Sequence, residues 1–174
     1  MNAPRAAVAT LALATLCGCG SSGAEEPDPA GPSVLAGTVD RVIDGDTLVA
    51  RVDGERVRVR LLGVDAPETA VGRGSAECYG VEATDATRSI LPRGARIVLR
   101  TDATQGREDR FGRLLAEVAL GGDTRTVNES LVASGSAKVF RGDGRGRLQP
   151  ALRRAEREAR RDGLGIWAAC PGIY

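Results

Sequence analysis

Two acidic runs with an arginine between them carry the residue types from which this chain could do chemistry: Asp44-Gly45-Asp46-Thr47, then Arg60, then Asp65-Ala66-Pro67-Glu68. Carboxylates gathered at the ends of neighbouring strands repel one another unless a cation lies between them, and hard oxygen ligands of this kind suit calcium or a similar ion. A guanidinium adds a planar fork that donates two hydrogen bonds at once to phosphate oxygens. The combination is what a metal-assisted attack on a phosphodiester needs. Either run alone is weaker: Asp44 and Asp46 could serve only a hairpin turn, and Asp65 and Glu68 only a loop and a helix start around Pro67. An EF-hand loop is the obvious competitor, but the run after Asp46 lacks its later ligands.

What the chain lacks narrows the chemistry further. It contains no histidine, so the commonest general base and the commonest metal ligand are both missing. Hydrolysis must then run on carboxylates, arginines and an oxygen-ligated metal. Only Cys78 and Cys170 lie outside the N-terminal segment, too few for a zinc site. With 24 basic against 23 acidic residues, net charge by itself does not point to a polyanionic partner. Lys138 is the sole lysine; compositional bias explains the excess of arginine, and function attaches only to individual arginines.

The elements that must position these residues follow from periodicity. Val39, Val42 and Ile43 lead into Asp44-Gly45, a tight-turn signal that calls for positive backbone angles at both central positions, and Leu48, Ala50 and Val52 then alternate with polar neighbours. A second turn at Asp53-Gly54 precedes Val57, Val59 and Leu61, with Arg56, Arg58 and Arg60 on the opposite face. This is a three-stranded meander able to curl into a small barrel. Residues 79–91 are expected to be helical, 97–99 and 114–120 strand, and 102–109 loose. Thr126 with Glu129 is a capping box for a helix ending at Gly135. A short strand over 137–140 and a glycine-rich loop over 142–146 follow, and Leu148, Leu152, Ala155 and Ala159 mark the buried stripe of a last helix. About five strands and three helices fit an α+β fold, a five-stranded OB-type barrel with helices outside.

The N-terminus reads differently. Residues 1–19 resemble a lipoprotein signal peptide: Arg5, an apolar run from Ala6 to Leu16, then Leu16-Cys17-Gly18-Cys19, with Cys19 as the acylated cysteine of a lipobox. Residues 20–33, rich in Ser, Gly, Pro and acidic side chains, read as a disordered tether. The folded domain is expected over 34–174. Outside the cytoplasm, Cys78 and Cys170 most simply form a disulfide, with two free thiols as the alternative.

Three ordered motifs, Ile43-Asp44-Gly45-Asp46-Thr47, Arg60-Leu61-Leu62-Gly63-Val64-Asp65-Ala66-Pro67-Glu68 and Asp109-Arg110-Phe111-Gly112-Arg113, resemble the staphylococcal nuclease (thermonuclease) family. The likeness runs from about Val34 to Trp167 and includes Cys78-Tyr79-Gly80-Val81-Glu82-Ala83 and Val127-Asn128-Glu129. It implies a calcium-dependent phosphodiesterase that binds one ion and acts on DNA and RNA. By position, it makes Asp46 and Asp65 metal ligands, with the Ala66 carbonyl beside them and Asp44 and Thr47 supporting them. Glu68 orients or deprotonates the attacking water, Arg60 and Arg113 grip the phosphate, and Arg110, Phe111 and Arg141 contact substrate. The sequence departs from the family at Ala66, where threonine is common, and at Phe111, where tyrosine is frequent. After Ala137-Lys138-Val139 the expected tyrosines are replaced by Phe140-Arg141-Gly142-Asp143, leaving Phe140 or Arg141 to substitute for them in base stacking.

The expectation is therefore a monomeric, lipid-anchored, extracytoplasmic nuclease. The competing readings are a catalytically weak or inactive nucleic-acid-binding module of the same fold and a calcium-binding structural lipoprotein; neither needs Asp46, Asp65, Glu68, Arg60 and Arg113 all together. The lipobox reading makes its own prediction. Mass spectrometry of the mature protein should find an acylated N-terminal Cys19, and Cys19→Ser should release the protein from the membrane fraction; an unmodified N-terminus elsewhere would reject it.

Overall fold

The computed structural model of the chain describes residues 32–69, 75–142 and 145–174. The signal-like segment and nearly all of the expected tether lie outside them. Ser33, assigned to the tether by composition, is instead docked: its N–H donates to Thr101 Oγ1 at 2.8 Å and its carbonyl accepts from Thr101 N–H at 3.0 Å. The folded domain thus begins before Val34.

Five strands close into a barrel: β1 (Val34–Val42), β2 (Thr47–Val52), β3 (Glu55–Leu61), and, after a break in sequence, β5 (Arg96–Arg100) and β6 (Leu114–Leu120). Their order around the barrel is β1-β2-β3-β6-β5. The first three form the expected antiparallel meander, with Leu48, Ala50, Val52, Val59 and Leu61 in the core. Closure comes from a parallel pairing of β3 with β6, in which Val59, Arg60 and Leu61 face Leu114, Leu115 and Ala116. Two short strands, β4 (Val64–Asp65) and β7 (Lys138–Val139), pair outside the barrel and set Asp65 opposite Lys138. The helices are α1 (Gly80–Ile90), α2 (Val127–Ala133), α3 (Gln149–Arg161) and the short α4 (Ile166–Ala169). Leu152, Ala155 and Ala159 are the buried stripe of α3, as the periodicity predicts. Thr126 Oγ1 caps α2 by accepting from Glu129 N–H.

The two Asp-Gly turns differ. At Asp53-Gly54 both residues have positive φ, 50° and 86°, which suits a tight hairpin. The Asp44-Gly45 turn departs from the same expectation, because neither residue has positive φ. The N–H groups of Ile43 and Asp44 both donate to the Thr47 carbonyl, and Asp44 Oδ1 accepts from Asp46 N–H at 3.1 Å. The Asp44 carboxylate thus builds the turn itself. Gly45 serves close approach instead of left-handed geometry: a Cβ there would lie 2.5 Å from the Ala66 Cβ and 3.2 Å from the Ala83 Cβ. Its missing side chain lets the second acidic run and α1 pack against the first.

Two connections hold the outer layer in place. Asn128, fully buried, accepts from Val118 N–H at 2.9 Å and donates to the carbonyls of Leu62 and Ala116, so it joins α2 to both closing strands. Cys78 and Cys170 are joined by a disulfide, their Cα atoms 6.0 Å apart, which ties the chain just before α1 to the C-terminal tail. Asn128→Ala would leave a buried N–H and a carbonyl without their side-chain partner, and it should lower stability by about 3 kcal/mol. A urea unfolding midpoint unchanged from wild type would contradict this account of barrel closure.

Candidate functional site

The ladder between β2 and β3 places Thr47 directly opposite Arg60, so Asp46, immediately before β2, lies beside that arginine. Asp46 is only 3% exposed. Its Oδ2 forms an ion pair with Arg60 Nη1 at 2.8 Å and accepts from Ala66 N–H at 2.9 Å, and its Oδ1 accepts from the Thr47 hydroxyl at 3.1 Å; the same Nη1 donates to the Val64 carbonyl at 2.9 Å. Burial pushes the Asp46 carboxyl up to about 7; Arg60 and the Ala66 N–H pull against it, and Asp44 adds to the rise. Ala66 thus enters the site through its amide, which crosses from the second acidic run to the first.

Asp65, half-exposed, lies 3.6 Å from Arg60 Nη2 and 3.2 Å from Lys138 Nζ. Glu68 is largely exposed, yet its carboxyl is raised, first by loss of solvation and then by Asp44, with Glu77 and Asp65 adding and Arg60 opposing. Its backbone is fixed from the base of α1: Glu68 N–H donates to Glu77 Oε2 at 3.1 Å, and Glu77 N–H donates to the Glu68 carbonyl at 2.9 Å. Gly80 is required there, because a Cβ would come within 2.2 Å of that carbonyl. The four carboxylates of the two acidic runs therefore share one end of the barrel, with Asp44 felt by both Asp46 and Glu68.

The third motif forms a compact turn that delivers Arg113. Asp109 accepts from the N–H groups of Phe111 and Arg113, and its Oδ2 accepts from Arg113 Nε at 2.7 Å. Desolvation by itself would raise the Asp109 carboxyl, but the hydrogen bonds from Arg113 and Phe111 outweigh it and hold it below its ordinary value of 3.8. Arg113 Nη1 then reaches Thr47 Oγ1 at 3.4 Å. Phe111, 62% exposed, lies under two guanidiniums, with Arg110 4.7 Å and Arg113 5.5 Å from its ring centroid. Arg60, Arg110 and Arg113 line one cleft of about 510 Å³ with Asp109, Leu115 and Phe140. Arg141 does not face that cleft; it lines a separate groove beyond Asp65.

The structure thus brings Asp44, Asp46, Asp65, Glu68, Arg60, Arg113 and Thr47 to one end of the barrel, and it separates Arg141 from Arg110 and Phe111. Sequence reasoning overlooked two residues. Asp109 lies four before Arg113 within the third motif, and that spacing was the available signal. Lys138 reaches Asp65 only through the β4–β7 pairing, for which no local signal exists. As to a metal, the donors fit a hard cation: all are oxygen, and beyond the effect of burial the charge of Asp44 raises the proton affinity of both Asp46 and Glu68. Among the described residues, no three such side chains already form a cage; Arg60 and Lys138 carry the positive charge between them.

Comparison with known proteins points one way. A sequence model of the family described as staphylococcal nuclease homologue matches residues 58–169. The chain is 34% identical over 161 residues to a thermonuclease of Staphylococcus intermedius, spanning 92% of this chain and 91% of that protein. It is 34% identical to a thermonuclease of Staphylococcus hyicus, over 74% of this chain and 73% of that one. It is also 35% identical to the endonuclease YncB of Bacillus subtilis (strain 168), over 75% of this chain and 61% of that one.

Asp109 is a positioning residue for Arg113, so Asp109→Asn should lower kcat on nucleic acid by about 10²-fold, the scale of a small misplacement of a working group. KM should change little, and the global melting temperature should stay close to wild type. A carboxylate with a depressed folded pKa contributes stability above its unfolded value, and that stability is lost only as pH falls through the lower folded value. Backbone amide signals of 109–113 should therefore keep their native positions down through the ordinary carboxylate range. Their collapse at an ordinary carboxylate pH, or an unchanged kcat in the variant, would remove Asp109 from this role.

Proposed function

From the premise that this chain belongs to the staphylococcal nuclease family and is a nuclease, a hydrolase of phosphodiester bonds, we propose a calcium-dependent enzyme that cuts DNA and RNA outside the cytoplasm, held to a membrane by a lipid on Cys19. The observation that carries the mechanism is the Thr47 hydroxyl, which donates to Asp46 and lies within reach of Arg113. Through it, the acidic and basic halves of the site meet at one point of the barrel rim.

Asp46 and Asp65 would hold the ion, with Asp44 fixing the turn that aims Asp46. A bound calcium ion supplies a Lewis acid that polarises the phosphoryl oxygen and offsets growing negative charge. Glu68 takes the part of the base or the water-orienting group. A carboxyl lifted above its usual range accepts a proton more readily near neutral pH, and the Glu77 hydrogen bonds fix where Glu68 starts. Arg113, braced by Asp109, presents its guanidinium to the cleft, where a preorganised donor is worth most against charge that develops in the transition state. Arg60, on the strand paired with the one that Arg113 precedes, lines the same cleft. Its Nη1 pairs with Asp46 at 2.8 Å and donates to the Val64 carbonyl at 2.9 Å, whereas its Nη2, 3.6 Å from Asp65, is beyond hydrogen-bond reach and has a donor left for a phosphate oxygen. The extracytoplasmic assignment is supported by the Cys78–Cys170 bridge, since such bonds persist in oxidising compartments.

Cleavage of plasmid and of single-stranded RNA tests this reading. Both should be cut in calcium and spared in EDTA, and Glu68→Gln should lower turnover by about 10²- to 10⁴-fold, the range for loss of general-base catalysis, while the variant still binds. Binding without cleavage by the wild type in every divalent metal tried would identify an inactive binding module instead.

A further inference from the structure

A second groove of about 440 Å³ is lined by Asp65 and shares Phe140 with the cleft. The C-terminal tail forms much of it. Trp167 and Tyr174 meet edge to face, with centroids 6.4 Å apart and planes at 80°. Lys138 Nζ lies 4.7 Å from the Tyr174 ring centroid and 3.2 Å from Asp65 Oδ2, so one ammonium links the tail to the site. Phe140 and Ile173 line the same groove and are 52% and 64% exposed. Arg141 is exposed beside them. The Trp167 indole Nε1 is buried with no hydrogen-bond partner among the described residues.

Exposed Phe140 and Ile173 and a partly exposed Tyr174 beside lysine and arginine, in a groove that Asp65 lines and that shares Phe140 with the cleft, match the chemistry of an unpaired nucleotide. Every base has a π-face that stacks on such rings regardless of sequence, while the cations attract the backbone. The two carboxylates in the groove do not oppose this. Asp65 is held by Lys138 and Arg60, and Glu156 Oε1 already accepts from Val139 N–H at 2.9 Å. The tail is also fixed where it is needed, because the disulfide at Cys170 anchors it four residues before Tyr174. Burial, followed by the charges of Glu77 and Asp65, raises the Tyr174 phenol and keeps the ring neutral.

We propose that the C-terminal tail forms a nucleobase subsite of this nuclease, in which an unpaired base next to the cleaved phosphate stacks against Phe140 and Tyr174, with its sugar-phosphate toward Lys138 and Arg141. The ring over which the Lys138 ammonium lies is thus Tyr174, and Phe140 of the 137–141 run lines the same groove. The subsite rests on the nuclease reading above, and two readouts separate them. In steady-state cleavage of single-stranded oligonucleotides in calcium, Tyr174→Ala should raise KM about tenfold, within the span expected for losing one base stack. Its kcat should be little changed, and Tyr174→Phe should restore the wild-type KM. KM for duplex DNA, whose bases are already stacked, should move far less. In EDTA, without cleavage, a single strand carrying 2-aminopurine should be quenched on binding the wild type and lose that quenching with Tyr174→Ala. Equal KM on single strands together with unchanged quenching would overturn the subsite. If the wild type quenches in EDTA but never cuts in calcium, the nuclease reading fails and the subsite stands.

Discussion

The Asp46 carboxylate, 3% exposed, draws its partners from three segments: Arg60 on β3, the Ala66 amide in the loop after β4, and the Thr47 hydroxyl on β2. A buried carboxylate is costly, and removing one member of such a pair strands the other at about 3–5 kcal/mol. The strand ends, the second acidic run and the first turn are therefore held to one arrangement. The rest of the site hangs from it: Asp65 ends β4 just before Ala66, Glu68 follows two residues later, and Arg113 reaches the Thr47 hydroxyl that donates to Asp46.

That arrangement needs close packing behind it. Gly45, Ala66 and Ala83 meet where any larger side chain would collide, and the Thr87 hydroxyl on α1 donates to the Gly45 carbonyl at 2.7 Å. These contacts put α1 directly under the acidic turns, and α1 in turn holds Glu68 through the residues at its start. Small residues here act by what they leave out. The positive charge is distributed in the same economical way. Arg60 serves Asp46 and Asp65, Lys138 serves Asp65 and the ring of Tyr174, and Asp109 spends its carboxylate on orienting Arg113.

Family membership and geometry bear on different parts of the function. Membership makes the chain a phosphodiester hydrolase. Geometry identifies which groups stand together, and it puts Arg141 in a groove that Arg110 and Arg113 do not line. Phe140 lies at the junction, lining both the cleft that holds Arg113 and the groove that holds Tyr174.

Local periodicity and turn chemistry were enough to read the meander, the capped α2, the buried stripe of α3 and the OB-type barrel, because each depends on neighbours within a few residues. The motifs, taken in order, likewise made Asp46, Asp65, Glu68, Arg60 and Arg113 legible as one set. Other features were settled only by tertiary contacts. Closure of the barrel depends on the parallel β3–β6 pairing across more than fifty residues, whose register no local pattern encodes. The Asp44-Gly45 turn looked in sequence like the Asp53-Gly54 turn, yet packing against Ala66 and Ala83 dictated a different backbone. Lys138 and Tyr174 reach Asp65 because strand pairing and a disulfide bring distant segments together, and the energy of such contacts is absent from the chain until it folds.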